Sequence, residues 1–475
     1  MIVRAAYCSV IKHLPVAIVC MFAGAAIGAS AQGDTSGDAE RGRYLAVAGD
    51  CTGCHTRPDG GKSFAGGYAI SSPLGAIYST NITPSRSGGI GLYSEAEFVR
   101  AVRQGIRRDG AHLYPAMPYT AYTKVPDADM HALYAYFMQA VTPVDLQPPR
   151  TSLPFPFNLR VSMAVWNTLF LSNARFTPDP NRSAQWNRGA YLAEALEHCS
   201  ACHTPRNLLM AEQTSRTYSG SRVSAWYAPN ITSDPVSGIG TWTRDELVQY
   251  LKTGALHPKS QAAGGMAEAV TNSLQYLRSE DLDALATYLL SIAPIRDRQQ
   301  TRTDDSSGGP ARYEARLRGK PTTAGSEHPD GAALYSGYCA SCHQPTGAGT
   351  PDHIYPALFH NTATGSRHAE NLIAAILFGV DRKTGDYRAF MPQFGADSYV
   401  QTLTDAQVVS VSNYVLQAFG GSSVRVAVGD VATARRGGPT PLLARAPPIL
   451  LIVVCIIFIA TCARFVLRRQ RRVQP

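Results

Sequence analysis

Cys51-Thr-Gly-Cys54-His55, Cys199-Ser-Ala-Cys202-His203 and Cys339-Ala-Ser-Cys342-His343 decide how this chain is read. Two thiols three residues apart can each add across a vinyl group of one haem, and the histidine beside the second thiol then lies under the iron as its proximal ligand. The three pentads predict three covalently bound haem c groups. Cys51 and Cys54, Cys199 and Cys202, and Cys339 and Cys342 would hold them, with His55, His203 and His343 on the irons. Other uses of the motif fit less well. A structural zinc site draws four ligands, usually from paired clusters, whereas these clusters lie about 140 residues apart. A thioredoxin-type dithiol needs a βαβ setting, and no such alternation is visible. The remaining cysteines, Cys8, Cys20, Cys455 and Cys462, fall in the two apolar ends, so the body has none left for a structural disulfide.

A proximal histidine leaves the other face of the iron open. Met117 lies 66 residues after Cys51 in Tyr114-Pro-Ala-Met117-Pro118-Tyr119, and Met266 lies 67 after Cys199 in Gly264-Gly265-Met266-Ala. Met391 lies 52 after Cys339 in Phe390-Met391-Pro392. Each sits in a Gly- or Pro-rich loop before the last helical segment of its unit, so a thioether there can reach the iron. A lone methionine is more often a flexible core filler, the reading given to Met163 and Met210. The near-equal offsets of Met117 and Met266, and the aromatic-Met-Pro setting of Met391, favour ligation. His112, His257 and His353 show no matching offset, and His198 reads as a local hydrogen-bonding residue. With His and Met on every iron, no position is open to substrate.

The pentads also mark a repeat. Arg41-Gly-Arg-Tyr44-Leu opens the first unit and Arg188-Gly-Ala-Tyr191-Leu the second; Asn81-Ile-Thr83 is echoed by Asn230-Ile-Thr232, and Gly89-Ile-Gly91 by Gly238-Ile-Gly240. The third unit opens Gly331-Ala-Ala-Leu334-Tyr335 and diverges further. Ser94-x-x-Glu97, Thr243-x-x-Glu246 and Thr404-x-x-Gln407 read as capping boxes. Met130 to Phe137, Leu282 to Leu290 and Val408 to Phe419 read as amphipathic closing helices. Strand signals are sparse. The expected fold is therefore all-α: three tandem class I cytochrome c-like domains at 36–142, 184–293 and 328–421, joined by Pro-, Asn- and Ser-rich or polar linkers, plus a C-terminal transmembrane helix.

The ends read as targeting and anchoring. Residues 1–31 form a secretory signal, with Arg4 and Lys12 ahead of an apolar stretch and Ala29-Ser30-Ala31 as the cleavage site. Residues 447–467 are expected to span a membrane: the apolar run from Ile449 to Leu467 would extend about 28 Å as a helix. Arg468, Arg469, Arg471 and Arg472 in the tail 468–475 would then stay in the cytoplasm. The predicted location is the bacterial cytoplasmic membrane, with the haem domains in the periplasm. Much of the net charge of +9 sits at these ends, and no basic stripe with interleaved aromatics argues for nucleic acid. No Gly-x-Gly-x-x-Gly turn, nucleophile elbow or zinc-hydrolase motif appears, so oxidation of an organic substrate is not expected of this polypeptide.

On the pentads, Ala116-Met117-Pro118-Tyr119, Gly265-Met266-Ala-Glu268, Met391-Pro392-x-Phe394-Gly395 and the Asn-Ile-Thr segments, the chain from about Asp38 to Phe419 resembles a known family. These are the three-haem cytochrome c subunits of membrane-bound bacterial dehydrogenases, which serve alcohol, gluconate, sorbitol, 2-ketogluconate and fructose oxidation. The resemblance implies a large dehydrogenase partner of the FAD or pyrroloquinoline quinone (PQQ) type, a small accessory subunit, and ubiquinone as acceptor. Two alternatives keep the haems: an electron-transfer subunit of a molybdenum-containing aldehyde or heterocycle oxidoreductase, and a haem subunit of a terminal oxidase.

Overall fold

Each pentad is a single helical turn because its histidine must lie beside its second cysteine, and each is delivered by the helix before it. In the computed structural model, residues 35–72, 74–311 and 330–445, with positions 453 and 456, are described. In the first unit α1 (Thr35–Ala48) turns at Asp50, whose φ is 47°, into α2 (Cys51–His55). A hairpin of β1 (Ala69–Ser72) and β2 (Gly75–Tyr78) comes next, then α3 (Glu95–Gln104), α4 (Tyr119–Tyr122) and α5 (Asp127–Gln139). The connecting segment carries α6 (Ser162–Phe170). The second unit repeats the plan: α7 (Ala184–Tyr191), extended by a π-turn over Leu192–Leu196, then α8 (Ser200–His203), β3 (Ser219–Val223), β4 (Trp226–Asn230), α9 (Arg244–Thr253), β5 (Ala255–Leu256), β6 (Ser260–Gln261), α10 (Gly264–Asn272) and α11 (Ser279–Leu289). The third has α12 (Gly331–Tyr338), α13 (Ala340–His343), α14 (Thr362–Gly365), α15 (Glu370–Phe378), β7 (Val380–Thr384), β8 (Tyr387–Met391), α16 (Asp405–Ala418) and α17 (Val428–Arg435). All three expected capping boxes form, opening α3, α9 and α16.

In every unit the first helix crosses the last at a glycine. A Cβ on Gly42 would come 1.9 Å from the Ala132 carbonyl oxygen, one on Gly189 1.9 Å from that of Ala284, and one on Gly331 2.2 Å from that of Ser410. Backbone meets backbone at each crossing, a contact no side chain leaves room for. This fixes the angle at which the pentad leaves its leading helix.

The expected fold needs correction in three respects. It is not all-α: among the described residues four two-stranded antiparallel hairpins are laid into the loops. The strands are only two to five residues long, too short for a clear alternation. The β7–β8 pair did carry a signal, since Thr384↔Tyr387 closes on Gly385-Asp386 with Gly385 at φ 54°, a two-residue hairpin turn. Nor does each unit have a core of its own. Leu45, Met130 and Leu133 of the first unit pack in one continuous core with Leu192, Leu196, Leu282 and Leu285 of the second. The third unit has its own, built on Leu334, Leu372, Val408 and Phe419 and extended by Val431 of α17. Among the described residues no helix is long and apolar enough to cross a membrane. The expected leader 1–31, span 447–467 and tail 468–475 lie outside the described residues, apart from positions 453 and 456.

A reciprocal exchange locks the first two units together. Arg188 donates from Nε and Nη2 to the Asp281 carboxylate of its own unit, both at 2.7 Å, and Tyr44 of the first unit donates its hydroxyl to the same carboxylate at 2.6 Å. The mirror image is also present. Arg41 pairs with Asp129 through Nε at 2.9 Å, and Tyr191 of the second unit donates to Asp129 at 2.6 Å. The repeated Arg-Gly-x-Tyr is thus an interface: the arginine closes its own unit, the glycine admits the crossing helix, and the tyrosine reaches into the neighbour. At the corresponding helix positions the third unit has Asp330, Ala333 and Gln407, and it cannot join this exchange.

Burial alone would raise the Asp281 pKa; the Arg188 and Tyr44 hydrogen bonds and the arginine charge outweigh it and hold the carboxyl below the usual range. A folded value below the unfolded one means the stability contributed is complete above about pH 4 and is lost as the pH falls through the folded value. Tyr44→Phe is expected to cost about 1.5–3 kcal/mol at neutral pH. Asp281→Asn is expected to flatten the acid limb of a denaturation series on the haem-loaded protein; an acid limb identical to wild type would refute the assignment.

Candidate haem centres

The first pentad opens onto a cavity of about 610 Å³. Cys51, Cys54 and His55 line one wall and Met117, in the loop before α4, is also in the lining; Ile70, Ile82, Phe98, Leu133 and Phe137 make it largely apolar. Arg107, Arg150 and Arg160 also line it. Thioether-forming cysteines, two axial donors, apolar walls and basic residues suited to propionates are together the donor set a haem c requires. The structure therefore gathers all four residues predicted for the first site. The segment after α5, expected to be a linker, builds part of this cavity through residues 147–151 and Arg160, and Leu196 enters it from the second unit.

The proximal histidines share one arrangement. His55 Nδ1 lies 2.6 Å from the Thr80 carbonyl oxygen, His203 Nδ1 2.7 Å from that of Pro229, and His343 Nδ1 3.0 Å from that of Pro356. A carbonyl only accepts, so each Nδ1 carries the proton and each Nε2 presents a lone pair. Burial holds all three imidazoles below the usual histidine range, with the carbonyl bond opposing it in part. The neutral, correctly tautomeric ring is what iron ligation needs. Burial also pushes the Cys51, Cys54 and Cys339 thiols up to about 12, opposite to the shift a redox dithiol requires.

The repeated Asn-Ile-Thr segments explain how two of those carbonyls are placed. Asn81 accepts from the Thr83 amide at 2.9 Å and hydroxyl at 2.8 Å, and donates to the Val144 and Leu146 carbonyls at 2.7 and 3.0 Å. Asn230 accepts from Thr232 at 2.8 and 2.7 Å and donates to Ile295 O at 2.7 Å. Each asparagine immediately follows the residue whose carbonyl holds the histidine. In the sequence the segment marks the repeat, and its spacing from the pentad is the signal for this role.

In the second unit Met266 stands in the first turn of α10, packed against the shared core beside which Cys199 also lies. In the third, Met391 ends β8 and packs with Cys339 against the separate core. The sites are neighbours: α10 touches α2 of the first pentad on one side and β7 on the other, and Tyr68 of the first unit donates to Glu268 at 3.1 Å. Among the rival histidines, His257 and His353 stack on each other with centroids 4.4 Å apart. His198 meets the edge of Tyr122, which lines the first cavity. Met163 packs beside Tyr119 and Trp166 as a filler, whereas Met210 is 43% exposed in a turn and fills nothing.

The sequence profile described as Cytochrome c matches residues 329–419, the third unit. The expectation of three like domains therefore gives way to one unit matched by that profile and two that share a core. Over 445 residues the chain is 46% identical to the fructose dehydrogenase cytochrome subunit of Gluconobacter japonicus, covering 91% of each. Over 381 residues the chain is 41% identical to a nicotinate dehydrogenase subunit of Pseudomonas putida, covering 80% of this chain but only 30% of that protein. Over 418 residues it is 37% identical to the gluconate 2-dehydrogenase cytochrome c subunit of Pantoea cypripedii, covering 85% and 91%.

Asn230→Ala is expected to lower the stability of the haem-loaded protein by about 1–3 kcal/mol by orphaning buried polar groups, read by thermal unfolding. An unchanged unfolding midpoint would refute the pinning role of Asn230.

Proposed function

This chain belongs to the cytochrome c subunits of dehydrogenase complexes, and from that membership we propose that it relays electrons from a dehydrogenase subunit to ubiquinone through three covalently bound haem c groups. The observation that carries the reading is the common proximal arrangement, in which all three pentad histidines have Nδ1 tied to a backbone carbonyl. Cys51, Cys54, Cys199, Cys202, Cys339 and Cys342 would attach the cofactors; His55, His203 and His343 would hold the irons together with Met117, Met266 and Met391. Bound haem c supplies a one-electron iron couple, and methionine as second axial ligand raises its potential above that of a bis-histidine site. The chain's own work is to fill both axial positions, exclude water with apolar walls, and hold neighbouring sites in contact through α10.

The donor on this reading is a flavoprotein or PQQ-containing quinoprotein that oxidises an alcohol or sugar acid, accompanied by a small accessory subunit. A second reading, a molybdenum-containing heterocycle oxidoreductase as donor, is favoured by the likeness to a nicotinate dehydrogenase subunit. The periplasmic side of the bacterial cytoplasmic membrane is the proposed location. The signal-like segment 1–31 supports it, as does the exposed apolar edge formed by Val161, the N-cap of α6, with Val165 and Leu169 of the helix at helical spacing.

The test is purification of the complex, with a pyridine haemochrome count and identification of the partner's cofactor. Three haems per chain and a flavin or PQQ are expected; fewer haems, or carbon monoxide binding to the reduced protein, would overturn the relay. Met117→Leu, Met266→Leu and Met391→Leu should each lower the midpoint of a single haem and slow quinone reduction. Reduction of an artificial acceptor that draws directly on the dehydrogenase should survive, and its collapse would mark the methionine as structural.

A further inference from the structure

Arg382 heads the fully buried side chains by size. It belongs to β7 of the third unit but is buried against the second. Its Nη1 donates to the Ala262 carbonyl at 2.7 Å and its Nη2 to Gln261 Oε1 at 3.0 Å. Nε is buried without a hydrogen-bond partner, and among the described residues no carboxylate pairs with the guanidinium. An arginine does not shed its proton in a protein, so a net positive charge stands in the interior.

The repeat shows what this charge replaces. Leu113 N donates to Gly105 O, and Ala262 N to Gly254 O, both at 2.7 Å, which makes the two loops equivalent. Four residues after Leu113 comes Met117, and four after Ala262 comes Met266. Behind Gly105 lies Tyr119 of the same unit, 2.6 Å from where a Cβ would stand; behind Gly254 lies Arg382 Cδ, at 2.4 Å from the corresponding point. Where the first unit backs its methionine loop with its own tyrosine, the second is backed by a cation from its neighbour. The grip continues along α10, where Thr271 Oγ1 accepts from Lys383 N at 3.2 Å and Gln275 donates to the Lys383 carbonyl at 2.8 Å.

We propose that Arg382 is a positioning residue supplied across the unit boundary to the second haem site, where it holds the segment leading to Met266 and raises the reduction potential of the haem bound there. The proposal rests on reading Met266 as that haem's sixth ligand. Reduction adds one electron, and hence one negative charge, to the site. A fixed cation in a poorly screened interior favours that form. Docking of the third unit and the redox level of the second are thereby coupled through one side chain.

The experiment uses the intact complex with Arg382→Met, Arg382→Gln and Arg382→Lys. Its readouts are the haem count, the midpoint of each haem by spectroelectrochemistry, and the near-infrared methionine-to-iron(III) charge-transfer band. In Arg382→Met three haems are retained, one midpoint falls, and the band loses one haem's share; Arg382→Lys recovers most of the midpoint. Should Arg382→Met not accumulate, Arg382→Gln, which keeps a donor for Ala262 without the charge, carries the same expectation. Unchanged midpoints and band in the neutral variants overturn the proposal, as do equal shifts in the neutral variants and Arg382→Lys. Met266→Leu separates the two readings. If it moves one haem while the neutral Arg382 variants move none, the proposal alone falls; if it moves none, the ligand assignment has failed.

Discussion

In the proposed haem sites the two thioethers would leave open where an axial bond points, and the backbone carbonyl at each pentad histidine Nδ1 would set it. The pentad fixes only the sequence distance between thiols and imidazole. The ring's rotation and tautomer come from the Thr80, Pro229 and Pro356 carbonyls, and those carbonyls are held by loops that must themselves be pinned. Asn81 and Asn230 pin two of them through buried side-chain amides that both accept and donate. The orientation of each pentad histidine is thus a property of loop architecture 13 to 26 residues downstream of it, which is why hairpins and capped turns occupy so much of a largely helical chain.

The helix crossing at Gly42, Gly189 and Gly331 supplies the other half of that constraint. With backbone packed on backbone, the leading helix cannot tilt without breaking contact with the closing helix, so the pentad's departure point is rigid. In the first two units the same crossing carries the Arg–Asp–Tyr exchange, and the shared core behind it makes the pair one packed body. Electron exchange falls steeply with separation. A pair of sites set in one core, with the Met266 helix resting on the first pentad, holds its spacing better than two domains on a tether would.

Much of the chemistry was legible in the sequence because it is local. A Cys-x-x-Cys-His turn, a capping box or a methionine at matching offset needs no knowledge of distant contacts. All three boxes form, and for the first site Cys51, Cys54, His55 and Met117 meet in one cavity. What the sequence hid depends on which surfaces meet. Arg-Gly-x-Tyr looked like a repeat signature, yet Tyr44 and Tyr191 act on carboxylates of the opposite unit, 237 and 62 residues away. The segment after α5 read as a linker because it is rich in Pro, Asn and Ser; its backbone is nevertheless spent on Asn81 and on the cavity wall. The hairpins were missed because strands of two to five residues carry too few side chains to display a period.

The third unit lacks this exchange and is joined to the others on different terms. With Asp330, Ala333 and Gln407 at the three positions, it has neither the arginine, the reaching tyrosine nor the receiving carboxylate, and its core takes in only Ala225 and Trp226 from the second unit. Asn371 bonds both the amide and the carbonyl of Tyr227 at 2.9 Å, Arg222 pairs with Glu370 at 2.6 Å, and Arg382 is buried beneath Gly254. Hydrogen bonds to backbone and one unneutralised guanidinium make a more polar joint than the shared apolar core of the other two. Polar joints depend on fit more than on area, so the third unit's seating is specified by a few donors, and the one most deeply buried also grips the segment that leads to Met266. On that proposal attachment and redox tuning cannot vary independently at this joint.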